Sequence, residues 1–432
     1  MDRLTCIMAG NPKIIRNILA YCTAEWYTVS DRMSIRGKEV KDMKMDRRNR
    51  IDGSSDIAYC AVLFPDEKQI ELILKTFGCK RYIYNRFLSE RIEAYQAGLP
   101  PVRYIDQANQ LPRMKKDPET KWLGEVDSTA LQNGTRDLQN AFDNYYKGIK
   151  AGRKVGFPKY KRKHDGKNSY RTTNNNDSIR VIDKYHIQLP KLGTVRCKFS
   201  RKPKGRILHA TVTLNETGKF RISVQCETVL SQTDEKTGRA VGADLGIKNL
   251  AVTSDGETYD NPKSYEKNQA RLKRLQRGLS RKPKDSKNRE KNRKKIAKLH
   301  QHIRNQRRDA AHKMTHDLVM KYDYICIEDL RPSEMVKDKL LSKAVSDANF
   351  GEIRRQLEYK CAWHHKQLIV VDRWFPSSQT CSECGYENRA VRDLNVRYWK
   401  CPHCKAEHDR DVNAAVNILH EGIEKAGLSS TA

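Results

Sequence analysis

The segment Arg239-Ala-Val-Gly-Ala-Asp-Leu-Gly-Ile is an apolar, strand-like run that carries a single acid, Asp244. A second strand-like run, Leu250 to Thr253, and the turn residues Ser254-Asp255-Gly256 follow it. Together these runs predict a β-hairpin with a carboxylate in an otherwise buried pattern. From this hairpin to the C-terminus, strand and helix patterns alternate, which indicates an α/β domain.

Two further acids occupy comparable positions. Glu328 follows the short apolar strand Tyr324-Ile-Cys-Ile. Asp411 opens the run Asp411-Val-Asn-Ala-Ala-Val-Asn-Ile-Leu, whose apolar spacing predicts an amphipathic helix. Asp411 therefore falls in the first turn of that helix.

A metal site is the economical explanation for these three acids, because a carboxylate at the end of a buried strand is costly unless it binds a cation. Two carboxylates on strands and one on a helix can hold two Mg2+ ions, which activate water and stabilise the leaving oxygen in phosphodiester hydrolysis. Each acid alone also has a plain structural explanation: Asp244 as a turn residue, Glu328 as the surface end of a strand and Asp411 as a helix N-cap. The order strand Asp, strand Glu, helix Asp favours the metal site.

Four of the twelve cysteines form two C-x-x-C pairs separated by sixteen residues. They are Cys381, Cys384, Cys401 and Cys404. This spacing is typical of a zinc ribbon, in which four thiolates complete a structural site and leave no open position for substrate. The segment Gly385 to Lys400 alternates charged and apolar residues, which predicts the hairpin of the ribbon. His403 and His408 are alternative ligands, but a full set of cysteines makes them unnecessary.

The composition narrows the class of protein. The chain has 432 residues and a net charge of +31, from 84 Lys and Arg against 53 Asp and Glu, which predicts nucleic acid or an anionic membrane surface as partner. No run approaches the roughly 18 apolar residues of a membrane helix, and the charged first twenty residues do not form a secretory signal. The other eight cysteines are scattered singly, as in a reducing compartment. We therefore expect a cytoplasmic protein that is neither secreted nor membrane-spanning.

Basic residues concentrate in two stretches. Residues 263 to 308 hold 19 Lys and Arg against three acids, and their apolar spacing predicts two basic helices joined near Lys282-Pro-Lys284. The stretch from Arg153 to Arg171 interleaves three aromatic residues with eight basic ones. The aromatic residues are Phe157, Tyr160 and Tyr170. Rings among cations suit a nucleic acid, where bases stack and phosphates pair, although a basic stretch can also be a solvated face.

Three segments together resemble the split RuvC nuclease domain of the transposon-encoded TnpB family and its descendants, the compact type V CRISPR effectors. They are Val241-Gly-Ala-Asp-Leu-Gly-Ile-Lys-Asn, Ile325-Cys-Ile-Glu-Asp-Leu and His408-Asp-Arg-Asp-Val-Asn-Ala-Ala, with the cysteine ribbon between the last two. The resemblance extends upstream and covers roughly residues 57 to 425. The upstream segments are Lys75-Thr-Phe-Gly-Cys-Lys-Arg-Tyr-Ile-Tyr-Asn, Ser128-Thr-Ala-Leu-Gln and Gly156-Phe-Pro-Lys-Tyr-Lys.

The resemblance implies an RNA-guided DNA endonuclease with Asp244, Glu328 and Asp411 as the catalytic triad of an RNase H-like sheet. Asp409 competes for the third role, but the family pattern places the acid directly before x-Asn-Ala-Ala, which selects Asp411. The implied cofactors are one structural Zn2+ and two catalytic Mg2+. The implied partners are a guide RNA and double-stranded target DNA with a short flanking motif. The protein is expected to be a monomer in a ribonucleoprotein complex, in a prokaryotic cytoplasm and on nucleoid DNA.

The implied architecture is α+β and multidomain: a β-barrel wedge with a helical recognition insertion, followed by an RNase H-like (RuvC) α/β domain that carries an inserted four-cysteine zinc ribbon. The expected boundaries are an N-terminal extension of unknown role at 1–56, a wedge strand at 57–64, a helical recognition lobe at 65–150, the wedge β-barrel at 151–238, the RuvC nuclease domain at 239–378, the zinc ribbon at 379–407, and the RuvC C-terminal helix and tail at 408–432.

Four positions match the family surface that faces the flanking motif. They are Tyr104, Ser128, Gln132 and Thr173. Gln can bond adenine through two hydrogen bonds, Ser and Thr can donate or accept, and Tyr can pack on a thymine methyl group. As an alternative, Ser128 and Gln132 are ordinary solvated helix residues.

Three other functions stay open from the sequence. A compact type V CRISPR effector would use the same chemistry. A non-cleaving RNA-guided DNA binder is disfavoured because all three acids are present. A zinc-ribbon accessory of a transposase would bind duplex DNA without RNA.

Overall fold

The computed structural model describes residues 54–163, 168–230, 236–338, 341–393 and 395–428. The predicted N-terminal extension lies outside the described residues except for its last three, which belong to the first strand. The strands are β1 (Ser54–Phe64), β2 (Asn168–Thr173), β3 (Arg180–Val181), β4 (His186–Leu189), β5 (Gly193–Phe199), β6 (Arg206–Leu214), β7 (Phe220–Val229), β8 (Ala240–Asp244), β9 (Asn249–Thr253), β10 (Thr258–Asp260), β11 (Tyr324–Glu328), β12 (Gln367–Val371), β13 (Tyr398–Lys400) and β14 (Glu407–Asp409). The helices are α1 (Glu67–Gln96), α2 (Tyr104–Met114), α3 (Ser128–Lys150), α4 (Ser264–Ser280), α5 (Lys287–Lys321), α6 (Pro332–Met335), α7 (Ser342–Ala348), α8 (Phe350–Trp363) and α9 (Arg410–Lys425), with short 3-10 helices at Lys121–Gly124 and Arg389–Arg392.

Strand β1 is the centre of a seven-stranded sheet in the order β2-β6-β7-β1-β5-β4-β3. Its inward side chains alternate, so that Ile57, Tyr59, Ala61 and Leu63 are buried in a core shared with β5, β6 and β7. Among the described strands, β2 and β3 have one neighbour each. The described strands therefore form a half-barrel, where the sequence predicts a β-barrel.

In the sequence, helices α1, α2 and α3 lie between β1 and the other strands of the half-barrel. Asp66 caps α1, where its carboxylate accepts from the Gln69 N–H at 2.8 Å and the Gln69 side chain accepts in return from the Asp66 N–H. Asp127 caps α3 by accepting from the N–H groups of Thr129 and Ala130. Apolar residues on these helices form a hydrophobic core of their own.

The segment after α3 corrects one expectation about the basic, aromatic stretch. Tyr170 lies in the half-barrel core and is 3% exposed, so it is wrong as a residue that stacks on nucleic acid. Phe157 packs edge-on against Phe142 and Tyr145, with ring centroids 5.5 Å apart in both pairs. Tyr160, which is 43% exposed, is the most exposed of the three aromatic residues.

The C-terminal half contains a five-stranded sheet in the order β10-β9-β8-β11-β12. Strands β8, β11 and β12 are parallel, and β9 pairs antiparallel with β8, which confirms the predicted hairpin. On β11, Ile325 and Ile327 face the core that contains residues of α5 and α8, while Cys326 faces Ile418 of α9. The carboxyl ends of three parallel strands therefore meet at one edge, with helices on both faces of the sheet.

The long basic stretch forms two helices as predicted. Helices α4 and α5 pack against each other through Leu272, Leu299 and Ile303, and the connection between them includes Lys282-Pro-Lys284. Most of their Lys and Arg side chains are exposed. Within the described part of the chain, no helix combines the length and the apolar character that crossing a bilayer requires.

Candidate active site and zinc site

Asp244 and Glu328 end neighbouring parallel strands. In the ladder between β8 and β11, Ala243 lies opposite Ile327, so the next residue on each strand is one of the two acids. Glu328 also lies opposite Val371, the last residue of β12. This register places the two predicted acids side by side at the carboxyl edge of the sheet.

Helix α9 brings Asp411 to the same edge because it packs very close to the sheet. A Cβ added to Gly242 would overlap the Ala415 carbonyl, and one added to Gly422 would overlap the side chain of Cys326. Because glycine has no side chain, α9 can pack close to β8 and β11 at these two positions. Asp411 lies one helical turn before Ala415.

The N-terminus of α9 separates the roles of Asp409 and Asp411. Asp409 is the N-cap, and its Oδ1 accepts from the N–H of Asp411 at 2.9 Å and of Val412 at 3.0 Å. Its carboxylate is thereby occupied at the helix end. The Asp411 carboxylate instead accepts from Arg397 Nη1 at 3.2 Å. The N-cap role, which the sequence left open for Asp411, belongs to Asp409.

Glu328 and Asp411 lie close enough to Asp244 to shift its pKa. Burial raises the pKa of Asp244 to about 7, with further contributions from the negative charges of Glu328 and Asp411. Arg410 and Arg397 oppose this rise. The carboxyl group of Asp244 therefore lies in a field that favours its neutral form until a cation compensates the charge.

Glu328 and Asp411 each have a protein partner that the sequence did not reveal. The Ser377 hydroxyl donates to Glu328 Oε1, and burial raises the pKa of Glu328 in spite of this bond. Arg397 pairs with Asp411. Among the described residues, the three acids do not form a group in which all three carboxylates lie within 4.8 Å of one another, as the sulfurs of the four cysteines do. The donor set is nevertheless three carboxylates, the hard oxygen ligands that Mg2+ prefers.

The four cysteines converge as predicted. Their Sγ atoms all lie within 4.8 Å of one another. Cys381 Sγ is 3.6 Å from Cys404 Sγ, and Cys384 Sγ is 3.7 Å from Cys401 Sγ. In a tetrahedron with Zn–S distances of ~2.3 Å the sulfurs are about 3.8 Å apart, so the cluster fits one zinc ion. Four protein ligands leave no position for a substrate.

The hairpin of the ribbon differs from the predicted one. Its strands are β13 and β14, paired antiparallel with Tyr398 opposite Asp409, so the hairpin spans the second C-x-x-C pair. The segment Gly385 to Lys400, whose alternation predicts a hairpin, contains the 3-10 helix at Arg389–Arg392. Its apolar residues, such as Val391, are buried in the small core of the ribbon.

Neither nearby histidine joins the sulfur cluster. His408 Nε2 lies 3.1 Å from Cys381 Sγ, and its ring packs on Trp399 with the centroids 4.7 Å apart. His403 stacks on Tyr386. The group whose ligand atoms all converge consists of the four cysteines without either histidine.

Two asparagines of α9 connect the ribbon to the acids. Asn413 Nδ2 donates to the Thr380 carbonyl at 2.7 Å. Asn417 Nδ2 donates to the Ser377 carbonyl at 2.7 Å and to the Thr380 carbonyl at 2.6 Å. These bonds hold the loop between Ser377 and Cys381, the first cysteine of the sulfur cluster, against the helix that carries Asp411. The spacing Asn-x-x-x-Asn places both amides on one helix face, and this spacing is the sequence signal for the contact.

Three family models match parts of the chain. One is described as a probable transposase, over residues 220–339, and one as a Cas12f1-like TNB domain, over residues 350–418. A third, described as a helix-turn-helix domain, matches residues 56–99, which here form most of β1 and the single helix α1. A relative from Streptomyces pristinaespiralis, named "Putative RNA-guided DNA endonuclease", is 38% identical over 363 residues, 83% of this chain and 88% of that protein. The chain belongs to the TnpB family of RNA-guided DNA endonucleases.

A second relative of this TnpB-family chain is "Putative RNA-guided DNA endonuclease InsQ" of Escherichia coli (strain K12). It is 34% identical over 367 residues, 80% of this chain and 87% of the relative. One solved structure, a complex of Cas12f1, sgRNA and target DNA, contains a chain that is 15% identical to this one, with a TM-score of 0.33. The match covers 85% of this chain and 98% of the other. This structural likeness is too weak to bear on the fold.

The four positions predicted to read the flanking motif are not all together in this TnpB-family structure. Ser128 and Gln132 are exposed one turn apart on α3, and Thr173 is adjacent, because its N–H donates to the neighbouring Thr129 hydroxyl at 3.1 Å. Tyr104 begins α2, whose far end meets α3 where the ammonium group of Lys115 donates to Ser128 Oγ at 2.6 Å. About 16 Å of helix separates Tyr104 from that contact.

Proposed function

We propose that this TnpB-family chain is an RNA-guided DNA endonuclease that hydrolyses phosphodiester bonds at Asp244, Glu328 and Asp411. The observation that carries the proposal is the meeting of these acids at one sheet edge, where burial and mutual repulsion raise the pKa of Asp244 to about 7. Acids with purely structural roles gain nothing from facing one another, whereas a shared cation offsets the repulsion. The relatives' names support the same activity.

The acids would hold Mg2+ on the RNase H-like (RuvC) sheet, and we infer two ions. Bound there, Mg2+ would activate water and stabilise the leaving oxygen. The chain itself supplies the positioning, because Ser377 orients Glu328 and Arg397 orients Asp411. Since the described residues contain one such group of acids, the two DNA strands would be cut in turn at one site.

Target choice would come from a guide RNA paired with one DNA strand, with the protein binding the duplex by shape and charge. The exposed cations of α4 and α5 offer a surface for the phosphates. Ser128, Gln132 and Thr173 would contact the flanking motif, and Tyr104 would do so from a separate position. The complex would contain one protein chain and act on nucleoid DNA in a prokaryotic cytoplasm, with one structural zinc in the ribbon.

Sequencing of the RNA that copurifies with the protein tests the guide, and cleavage of a DNA matching that RNA tests the nuclease. A single RNA species and guide-dependent, Mg2+-dependent cutting are expected. Protein that binds duplex DNA without RNA and leaves it uncut would contradict the proposal and favour a transposase accessory. Guided binding without cutting would favour the non-cleaving binder.

A matched pair of substitutions tests the assignment of the third acid. Loss of a residue that only supports a metal ligand lowers activity by up to ~100-fold. Asp411→Asn should lower the cleavage rate by more than this and leave guided DNA binding unchanged. Asp409→Asn should cleave like the wild type, because Asn is as good an N-cap as Asp. The reverse result would transfer the role to Asp409.

A further inference from the structure

Trp374 is an exposed aromatic residue that the proposed function does not use. Its side chain is 80% exposed. An indole is among the largest apolar side chains, and leaving it in water forfeits the free energy of its burial. Its position in a loop bonded to Glu328 leaves this exposed ring free to contact a substrate that reaches the acids.

The loop that carries Trp374 is fixed to Glu328 at both ends. At its start, Val371 pairs with Glu328, and the Val371 carbonyl accepts from the Asp329 N–H at 3.0 Å. At its end, the Ser377 hydroxyl donates to the Glu328 carboxylate. Trp374 is three residues from either end, so its Cα lies within about 10 Å of both.

The ring is also held in orientation. The backbone N–H of Trp374 donates to Asp372 Oδ1 at 2.8 Å. The next residue, Phe375, packs against the core beneath the sheet. The Arg373 guanidinium lies 5.0 Å from the Trp374 ring centroid and is itself paired with Glu334 at 3.1 Å. The Arg373 guanidinium therefore lies beside one part of the Trp374 ring, and most of the residue's surface remains exposed to solvent.

We infer that Trp374 is a stacking platform for an unpaired base of the DNA strand next to the phosphate that is cut. The inference rests on the proposed function, in which pairing with a guide leaves single-stranded DNA to reach the acids. Aromatic side chains bind single strands by stacking on the bases whatever their sequence, and adjacent arginines add attraction for the phosphates. The platform would fix the strand so that its phosphate lies at Asp244, Glu328 and Asp411.

The test is single-turnover cleavage by the complete ribonucleoprotein with guide RNA and matched target DNA. Trp374→Ala should slow cleavage by about 5- to 140-fold, the equivalent of ~1–3 kcal/mol for one stacked base, while Trp374→Phe should stay within about threefold of the wild type. The control is Tyr398→Ala. Tyr398 is 79% exposed, but successive side chains of an extended segment alternate, so it points away from the face on which its neighbour Arg397 reaches Asp411. Target binding should be unchanged in all three variants.

An abasic scan of the nucleotides flanking the mapped cut site identifies the stacked base. At one position, loss of the base should slow the wild type as much as Trp374→Ala does and should slow Trp374→Ala no further. Wild-type cleavage by Trp374→Ala overturns the inference. So does a slow Trp374→Ala variant whose defect multiplies with every abasic substitution, because that result assigns the ring a structural role in the loop. If the wild type does not cut at all, the proposed function fails first, and the two failures are thereby distinguished.

Discussion

Replacing Gly242 by Ala tests the close packing of α9 on β8, on which the position of Asp411 depends. The added Cβ would lie 1.9 Å from the Ala415 carbonyl oxygen and 2.7 Å from the Leu419 nitrogen, whereas real Cβ atoms do not come closer than 3.0 Å to other atoms. The helix must therefore retreat by at least 3.0 − 1.9 = 1.1 Å. Both obstructing atoms belong to the backbone, so no side-chain rotation relieves the overlap.

The displacement should affect stability and activity by different amounts. Overpacking of this kind costs about 1–3 kcal/mol, which lowers Tm by several degrees in a domain of this size. A displacement of ~1 Å at a reacting group can cost ~100-fold in rate. We therefore expect Gly242→Ala to remain folded and to cleave guided DNA about 100-fold more slowly than the wild type.

Thermal unfolding and single-turnover cleavage measure the two effects, and Gly351→Ala is the matched control. Gly351 is the second residue of α8, and a Cβ added there would meet no side chain or distant backbone within 4 Å, so alanine should gain at most about 0.5–1 kcal/mol and leave cleavage unchanged. A Gly242→Ala variant with the Tm and the cleavage rate of the wild type would refute the close approach of α9 to β8.

Substitutions also test the raised pKa of Asp244, the role of the zinc ribbon and the residues predicted to contact the flanking motif. Folded Asp244 keeps its proton to about pH 7, whereas an unfolded aspartate loses it near pH 4, so the free energy of unfolding falls as the pH rises between these values. Without added Mg2+, Asp244→Asn should therefore gain Tm relative to the wild type from about pH 4.5 to 7.5, and a constant difference would contradict the raised pKa. Cys384→Ser should carry less than the ~one zinc per chain of the wild type and cleave more slowly; full activity in a zinc-free preparation would exclude a required ribbon. Gln132→Ala should shift the flanking-motif preference in a randomised-library cleavage assay by ~1–3 kcal/mol, while Lys298→Gln should weaken binding to all sequences alike and reduce the salt slope; an unchanged motif profile for Gln132→Ala would reject its role.

Local patterns were sufficient for the elements that carry the chemistry. The apolar runs before Asp244 and Glu328 and the helical spacing after Asp411 predicted two strands and a helix that the structure contains. Alternation and helical spacing report burial over a few residues, and these elements are short and buried on one or both faces. The spacing of the cysteine pairs predicted the sulfur cluster for a similar reason, since each pair is itself a local turn.

Contacts between distant residues were not predictable in this way. Ser377 meets Glu328 from 49 residues away, and Arg397 meets Asp411 from 14 residues away, so neither contact leaves a pattern in one stretch of sequence. The opening of the half-barrel depends on which strands find a second partner, which is a property of the whole sheet. The burial of Tyr170 is not evident from the sequence, because the other residues of β2, such as Ser169 and Arg171, are polar and the strand shows no apolar alternation.

The zinc ribbon influences the acids through its two ends, although its metal would take no part in the reaction. The loop before Cys381 contains Ser377, the partner of Glu328, and strand β14 ends at Asp409, the cap of the helix that carries Asp411. Asn417 bonds the first of these ends to that same helix. Zinc bound to four cysteines would restrict the intervening chain and so fix the distance between its ends, because metal binding supplies folding free energy to the segment that it closes. Loss of zinc should therefore act on cleavage by releasing the supports of Glu328 and Asp411, and the Cys384→Ser defect should appear in the rate of cutting more than in binding of the guided target.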